Sequence, residues 1–284
     1  MNGGLVRLKE LYQDLKPSEQ IAASYILQHP ERMLQLSIAQ LADESGSSQA
    51  AIVRLCKSMG VTGYQNLKLM VAGDLQQGQT SLNGSGYQEI RPGESVENII
   101  ASVAGNNMQS IQDSVKVLDP AVVRQAIEAL DRAQRIFFYG IGASNLIAMD
   151  AQQKFMRISK TALAFADPHV QLTASVSLGK RDVAVGISYS GETKAVIAAL
   201  RSAREQGAET VSITKFGNTT LSGYADYPLF ISSTEHEIRS GAMASRIAQL
   251  NVIDILYLGV ASRNYNYAVQ QLELSRKAIK EIER

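Results

Sequence analysis

Three hydroxyl side chains stand close together in the segment SYSGET, which follows an apolar run and precedes a helical pattern. They are Ser188, Ser190 and Thr193, and Gly191 between them permits a ligand to approach the main chain closely. A turn from the carboxyl end of a strand into a helix leaves backbone N–H groups free, and the helix dipole favours negative charge there. The segment therefore predicts a site that binds an anion reversibly, and a phosphate monoester suits its uncharged donors.

A second segment of this kind, GIGASN, also lies between a predicted strand and a predicted helix. Its glycines match the first two of a dinucleotide-binding G-x-G-x-x-G motif, but Asn145 replaces the third glycine and no clear acid follows near Thr161. We therefore expect no nicotinamide and no other cofactor. We place Gly142, Ser144 and Asn145 among the ligand contacts, with Ser144 donating to a sugar hydroxyl or a phosphate oxygen. The alternative is that Ser144 only caps its helix.

Nucleophilic catalysis is disfavoured because neither segment contains the G-x-S-x-G turn of a serine hydrolase. A general base is available further on, where Glu235, His236 and Glu237 precede the last long apolar pattern. These residues can equally be exposed loop charges or hydrogen-bond partners for sugar hydroxyls. We favour these two interpretations because the sequence shows no carboxylate pair at a defined separation. Glu237 is therefore placed among the ligand contacts, and no catalytic residue is predicted.

The N-terminal part of the chain contains a pattern of two helices separated by a tight turn. Ser37 is a suitable N-cap for the first helix, and Gly46 can adopt the left-handed backbone angles that the turn needs. Either Ser47 or Ser48 can cap the second helix. In a DNA-binding helix-turn-helix the start of the second helix reaches base edges, so Ser47, Ser48 and Gln49 are the predicted groove contacts.

Cations follow this start on the same helix and on the next one. Arg54 and Lys57 are three residues apart, and Lys68 lies on the following helix, with Tyr64 at its start. We predict that these four residues contact DNA, the cations meeting phosphates. The alternative is an ordinary helical hairpin whose cations are merely solvated, and two acidic residues just before the turn count against a broad basic face.

The composition is that of an ordinary folded protein of 284 residues, with 45% hydrophobic residues and a formal net charge of +1. This charge excludes a uniformly basic surface but leaves room for a local nucleic-acid face. The single cysteine, Cys56, forms no intrachain disulfide, and the three histidines are too scattered to predict a metal site. The N-terminus lacks a signal peptide, and Asp254 interrupts the longest apolar stretch. We expect a cytoplasmic protein without membrane contact.

Two regions of different texture suggest two domains. Helical periodicity without a convincing strand predicts an all-helical domain over 1–77, and a stretch rich in Gly, Ser and Gln predicts a linker over 78–92. Beyond it, over 93–284, short strands alternate with helices, which predicts a parallel sheet with crossover helices. The predicted strands are Arg135–Tyr139, Asp182–Ser188, Thr210–Thr214 and Tyr227–Ile231, and the predicted helices are Val96–Val117, Pro120–Ala133, Ser144–Ile158, Glu192–Gln206, Gly241–Ala261 and Ala268–Ile282.

Four segments in order resemble the RpiR family of bacterial regulators: SIAQLADESGSSQAAIVRLCKSMGVTGYQNLK, GIGASNLIAMDAQQKF, SYSGETKAV and MASRIAQLNVIDIL. The resemblance covers nearly the whole chain. It implies an all-α helix-turn-helix domain followed by an α/β sugar isomerase (SIS) domain, with a five-stranded parallel sheet flanked by helices. It also implies that Ser144, Ser188, Ser190 and Thr193 contact a phosphosugar, with Gly191 permitting its close approach.

The resemblance leads to one main functional hypothesis. We expect a transcription factor, not an enzyme, whose SIS domain senses a sugar phosphate and changes how two helix-turn-helix units are spaced on operator DNA. N-acetylmuramic acid 6-phosphate is one candidate effector, suggested by one branch of the family, and other hexose or hexosamine phosphates are alternatives. A homodimer or homotetramer is expected because one recognition helix contacts few bases. The rival hypothesis is a phosphosugar isomerase or etherase of the SIS superfamily with a degenerate helical appendage.

Overall fold

The computed structural model describes residues 3–76, 93–234 and 242–282. Contacts divide the chain into two units, Met1–Val117 and Leu118–Arg284. The helix Val96–Val117, which the sequence analysis assigns to the second domain, is grouped with the first unit. The predicted linker over 78–92 lies outside the described residues, so the domain boundaries stay predictions.

Helices make up the first unit as far as it is described. Leu8, Ile26, Leu55 and Leu67, from four of these helices, are fully buried and form part of the core. The buried carboxylate of Asp74 accepts hydrogen bonds from the backbone N–H groups of Gly3 and Leu5, at the start of the first helix, where such groups have no partner within the helix. The helices are α1 (Gly4–Leu11), α2 (Pro17–Gln28), α3 (Pro30–Met33), α4 (Ile38–Ser45), α5 (Gln49–Ser58), α6 (Tyr64–Gln76) and α7 (Val96–Val117).

The predicted turn between two helices is present between α4 and α5. Ser37 caps α4 and forms a capping box with Gln40, in which each side chain accepts a hydrogen bond from the other residue's backbone N–H. Gly46 has the expected left-handed conformation, with φ 70° and ψ 23°. Ser48 caps α5 by accepting a hydrogen bond from the Ala51 backbone at 3.2 Å. These predictions are confirmed, and Ser48, not Ser47, is the cap.

The second unit contains the predicted parallel sheet. Its strands are β1 (Arg135–Tyr139), β2 (Thr161–Ala164), β3 (Asp182–Ile187), β4 (Glu209–Lys215) and β5 (Tyr227–Ile231), in the spatial order β2-β1-β3-β4-β5. All four neighbouring pairs are parallel.

Alternating residues of each strand face the two sides of this sheet. Along β1, Ile136 and Phe138 pack on one side and Phe137 and Tyr139 on the other. The first side is covered by α8 (Pro120–Arg132), α9 (Ala143–Arg157), α12 (Met243–Arg263) and α13 (Tyr265–Ile282), and the second by α10 (Pro168–Ser175) and α11 (Lys194–Glu205).

The strand order places the two predicted ligand turns next to each other. β1 and β3 are neighbours, yet the chain leaves β1 toward β2 on one side and continues from β3 toward β4 on the other. In open parallel sheets, ligands bind at such a switch point, outside the carboxyl ends of the two strands. Tyr139, the last residue of β1, pairs with Gly186 near the end of β3, so both turns begin at about the same height.

Three expectations from the sequence concern membrane-spanning helices, metal sites and the single cysteine. Within the described ranges, no helix is long and apolar enough to span a bilayer, and no cluster of three or more His, Cys, Asp or Glu is arranged to hold a metal ion. Cys56 is buried in α5, and this burial raises the pKa of its thiol to about 11. The thiol therefore stays protonated at neutral pH, as expected for a small core residue.

Candidate functional site

The turn after β3 brings together the three hydroxyls predicted from the sequence, and we call Ser188, Ser190 and Thr193 the hydroxyl cradle. The Ser188 Oγ lies 2.8 Å from the Thr193 Oγ1 and 3.4 Å from the Ser190 Oγ. It also accepts a hydrogen bond from the Gly191 backbone N–H at 3.2 Å. Three hydroxyl hydrogens serve two contacts inside the cradle, so at least one hydrogen is left to donate to a ligand.

Helix α11 begins directly after the cradle and adds amide donors. Thr193 occupies the N-cap position, but its side chain does not cap the helix. Its hydroxyl contacts Ser188 instead. The first-turn amides of α11 thus keep the character of an anion site, strengthened by the helix dipole. The geometry suits a phosphate group bound by hydroxyls and main-chain N–H groups.

The expected role of Gly191 needs correction. The sequence analysis gives Gly191 the task of letting a ligand approach the main chain. In the structure, its φ is +70°, and an added Cβ would lie 2.3 Å from the Cβ of Thr219. Glycine is required here by the left-handed backbone and by close packing against the loop that follows β4. The space next to Gly191 where a side chain would lie is occupied by Thr219.

The loop after β4 is a part of the site that the sequence analysis missed. The Leu221 backbone N–H donates to the Gly191 carbonyl at 3.0 Å, and the Lys215 N–H donates to the Tyr189 carbonyl at 2.8 Å. The carboxylate of Glu192 accepts two hydrogen bonds from Thr220. Three hydroxyl residues, Thr219, Thr220 and Ser222, lie in the loop shortly after a predicted strand and were the available sequence signal.

The turn after β1 is the second half of the site. Helix α9 begins at Ala143 with Gly142 as its N-cap, in a backbone conformation of φ 59° and ψ −125°. Ser144 is therefore not the cap, and the alternative that its hydroxyl only caps the helix is wrong. Within the described residues the half-buried Ser144 hydroxyl makes no hydrogen bond, which leaves it available to a ligand.

Buried amides hold this turn from below. The side chain of Asn145 is 9% exposed, and its Oδ1 has no hydrogen-bond partner among the described residues. Gln171, which the sequence analysis did not single out, donates from its Nε2 to the carbonyls of Gly140 at 2.8 Å and Phe165 at 2.6 Å. It thereby ties the ends of β1 and β2 together. Asn145 is buried at the switch point with an unused acceptor.

Glu237, together with the neighbouring Glu235 and His236, lies outside the described residues. Its assignment to the ligand site therefore stays a prediction. The same holds for any catalytic role of this segment.

The start of α5 forms the candidate groove surface of the helix-turn-helix. Gln49 is exposed, and so is Ser48, although the hydroxyl of Ser48 is already engaged in capping. Ser47 is half-buried and its hydroxyl lies 3.5 Å from the Ser18 carbonyl. Of the three predicted base contacts, Gln49 offers the most freely available polar side chain.

The two cations of α5 differ in their surroundings. Arg54 lies 3.5 Å from the buried carboxylate of Glu19 and donates to the Ser18 hydroxyl at 3.3 Å, with 46% of its side chain exposed. Lys57 is exposed, and within the described residues it has no ion pair. Of these two cations, Lys57 is the one whose charge is not already compensated by a carboxylate among the described residues.

Tyr64 does not fit its predicted role, and the contact of Lys68 with DNA stays a prediction. Tyr64 is buried, and its hydroxyl donates to the carbonyls of Met33 and Leu36. Burial raises the pKa of Tyr64 to about 12. The Lys68 ammonium also donates to the Leu36 carbonyl, at 3.1 Å, and lies above the Tyr64 ring. These hydrogen bonds attach the segment that precedes α4 to helix α6. The prediction that Tyr64 contacts DNA is wrong.

One of the two acidic residues that count against a broad basic face has its charge balanced by an arginine. Glu44, just before the turn, forms an ion pair with Arg32 at 2.6 Å and accepts a hydrogen bond from the Tyr25 hydroxyl. Arg32, followed by Tyr25, lowers the pKa of Glu44. The exposed charge of this carboxylate is thus balanced within its own unit.

Comparison with known proteins matches residues 2–78 to the helix-turn-helix domain of the rpiR family and residues 129–259 to the SIS domain. The chain is 43% identical to the uncharacterized HTH-type transcriptional regulator TTE0211 of Caldanaerobacter subterraneus, with 96% of this chain and 95% of the relative covered. It is 40% identical to the uncharacterized HTH-type transcriptional regulator YbbH of Bacillus subtilis, covering 98% of this chain and 97% of the relative. The solved structure of Vibrio vulnificus NanR complexed with ManNAc-6P has a TM-score of 0.62 and 25% identity, covering 98% of this chain and 99% of NanR.

Proposed function

The chain belongs to the rpiR family of helix-turn-helix transcriptional regulators and carries a SIS domain, and from this premise we propose that a sugar phosphate binds at the hydroxyl cradle and alters operator binding. The observation that carries the proposal is the grouping of Ser188, Ser190 and Thr193 around the start of α11, at the switch point of the sheet. Uncharged hydroxyls and helix amides suit a ligand that must be released when its concentration falls.

The sugar part of the ligand is read by other groups. Ser144, whose hydroxyl is unused, and Asn145, whose Oδ1 is unpaired, lie on the neighbouring turn and face the same edge of the sheet. NanR is described in complex with ManNAc-6P, which makes this hexosamine phosphate a reasonable first probe. N-acetylmuramic acid 6-phosphate and other hexose phosphates follow it in the panel.

Regulation then follows from linkage between the two binding events. A ligand changes DNA affinity only by as much as it binds one arrangement of the protein better than another. We propose a homodimer or homotetramer as the acting species, because a single recognition helix gives little specificity. Gln49, Ser47 and Ser48 approach base edges in this proposal, and Lys57 and Arg54 approach phosphates.

A thermal-shift panel of sugar phosphates on the full chain tests the effector site. A ligand at about one hundred times its Kd stabilises the folded state by about 2.7 kcal/mol, which raises Tm measurably. We expect Ser188→Ala to reduce this stabilisation to about half or less, since a hydrogen bond to a charged group is removed and affinity falls at least about tenfold. Ser262→Ala, on an exposed hydroxyl that donates to the Gly259 carbonyl in α12, is the matched control and keeps the shift.

The same protein preparations are then tested for DNA binding by fluorescence anisotropy. Wild-type protein should lose or gain DNA affinity when the stabilising sugar phosphate is added, and Ser188→Ala should bind DNA but ignore the ligand. A Ser188→Ala variant that responds at unchanged ligand concentration contradicts the assigned site. Conversion of the sugar phosphate, with no DNA binding, supports the enzyme hypothesis instead.

A further inference from the structure

A carboxylate stands next to a site built for an anion. Glu192 lies between Gly191 and Thr193, and its backbone N–H donates to the Ser190 hydroxyl at 3.2 Å. Its main chain therefore contacts the hydroxyl cradle, while its side chain carries the same sign of charge as the expected ligand. A charge of this sign within several ångströms of a phosphate weakens binding unless the protein directs it elsewhere.

Thr220 holds this carboxylate with two donors. Its backbone N–H donates to the Glu192 Oε1 at 2.8 Å, and its hydroxyl donates to the Oε2 at 2.7 Å. The Thr220 N–H, followed by the Thr220 hydroxyl, lowers the pKa of Glu192, and the charge of Lys215 adds to this effect. Both oxygens of the ionised carboxylate are thus engaged on the side of the β4 loop.

The loop that carries Thr220 is itself fixed to the cradle. The Leu221 N–H donates to the Gly191 carbonyl, and Thr219 packs so tightly on Gly191 that no Cβ could be added there. Because residues on both sides of Thr220 and Glu192 are held by these contacts, the position of the Thr220 hydroxyl is determined relative to the cradle.

From this arrangement we propose that Thr220 is a positioning residue of the effector site, which keeps the Glu192 carboxylate turned away from the bound phosphate. The inference rests on the proposed phosphate site. Loss of the Thr220 hydroxyl leaves one carboxylate oxygen without its donor, and the freed side chain can turn toward the ligand. The ligand dianion is then bound more weakly because of repulsion between like charges.

A double-mutant cycle distinguishes this role from simple support of the loop. Binding of ManNAc-6P and of inorganic phosphate to the full chain is measured by calorimetry for wild type, Thr220→Val, Glu192→Gln and the double variant. We expect Thr220→Val to raise the Kd about tenfold, the scale of one like-charge contact across several ångströms of water. Glu192→Gln should bind at least as tightly as wild type. The Kd of the double variant should differ from that of Glu192→Gln by less than twofold.

Matched controls separate charge from folding. Thr220→Ser retains the hydroxyl and should keep wild-type affinity. Thr173→Val removes an exposed hydroxyl that donates to the His169 carbonyl in α10, and Glu205→Gln removes a charge at the other end of α11. Neither control should alter the Kd. Circular dichroism melting shows whether each variant is folded.

The possible outcomes distinguish the two claims. If Thr220→Val weakens binding equally with Glu192 and with Gln at position 192, or does not weaken it at all, the positioning role is overturned while the phosphate site stands. If wild-type protein binds neither probe, the proposed phosphate site fails and the inference fails with it.

Discussion

The two surfaces that we propose to bind phosphate groups differ in their chemistry. On α5, the cations Lys57 and Arg54 are exposed to solvent at the surface of a helix. At the switch point, Ser188 and Thr193 contact each other, and the charged residue that lies between Ser190 and Thr193 in the sequence, Glu192, is negative. Exposed cations suit a long polyanion such as DNA, whereas neutral donors held in place suit one dianion of defined shape.

The difference concerns specificity as well as charge. Cations attract any polyphosphate, and they do so less as salt increases. Hydroxyls and amides must be placed correctly before they bind, so the cradle depends on its supports, which include Thr219 and Thr220 on the β4 loop. Mutations in these supports should therefore affect the effector site strongly, while single cations on α5 should each matter modestly.

The largest expected effect comes from removing the close contact beneath the cradle. Gly191→Ala places a Cβ 2.3 Å from that of Thr219, on a left-handed backbone. We expect a cost of about 3 kcal/mol from strain and overpacking, and a Tm lower by roughly 6–12 °C. Sugar-phosphate binding should be lost as well. Thermal unfolding and calorimetry measure the two effects.

The control for this substitution is Gly207→Ala, at the other end of α11. Gly207 also has a positive φ, +90°, but its added Cβ would meet only the Lys180 side chain at 3.4 Å, an ordinary contact. It should cost about 1 kcal/mol and leave ligand binding unchanged. If the two glycine substitutions lowered stability and ligand binding equally, the close packing of Gly191 on Thr219 would have no special role in the site.

Salt should separate the two surfaces next. Two phosphate contacts per helix-turn-helix unit make four in a homodimer, and with a slope of about 0.9 for each contact they reduce DNA affinity roughly a hundredfold between about 50 and 200 mM salt. Sugar-phosphate affinity should change by less than about threefold over the same range, because the cradle contains no cation among its three hydroxyls. Anisotropy and calorimetry in matched buffers give the two slopes. Parallel slopes would indicate that effector binding depends on cations that lie elsewhere.

The smallest effect distinguishes the two cations of α5. In a homodimer, Lys57→Ala removes two contacts and should reduce the slope of log K against log salt by about 1.8, with a severalfold loss of DNA affinity. Arg54→Ala should also weaken binding and lower the slope, but by less, because Glu19 already compensates its charge. Lys277→Ala, on α13, is a control that should leave the slope unchanged. An unaltered slope for Lys57→Ala would exclude it from the phosphate contacts.

The sequence predicted the elements with strong local signals. The bounds of β1, β5 and α7 match the structure, β3 differs by one residue at its end, and β4 differs by one residue at each end. Strand β2 was missed because its four residues, Thr161–Ala164, contain one β-branched side chain and lie at the sheet edge. Helix α10 (Pro168–Ser175) was missed too, since it is short and begins soon after that unrecognised strand.

The site was predicted less completely, because long-range contacts decide which side chains are free. The grouping of Ser188, Ser190 and Thr193 follows from their spacing alone. The partner of Gly191 is Thr219, which is distant in sequence, so the reason for glycine could not be read from the turn. Tyr64 looked like a DNA contact because its position on α6 says nothing of the carbonyls that accept its hydroxyl.

The most direct test of the central claim is a crystal structure of the full chain with the sugar phosphate that gives the largest thermal shift. The account predicts phosphate oxygens within hydrogen-bond distance, about 2.7–3.2 Å, of at least two cradle hydroxyls and of the first amides of α11, with the sugar directed toward Ser144. Ligand density away from both turns, with the hydrogen bonds of Ser188 and Thr193 unchanged from those in the unliganded protein, would contradict it.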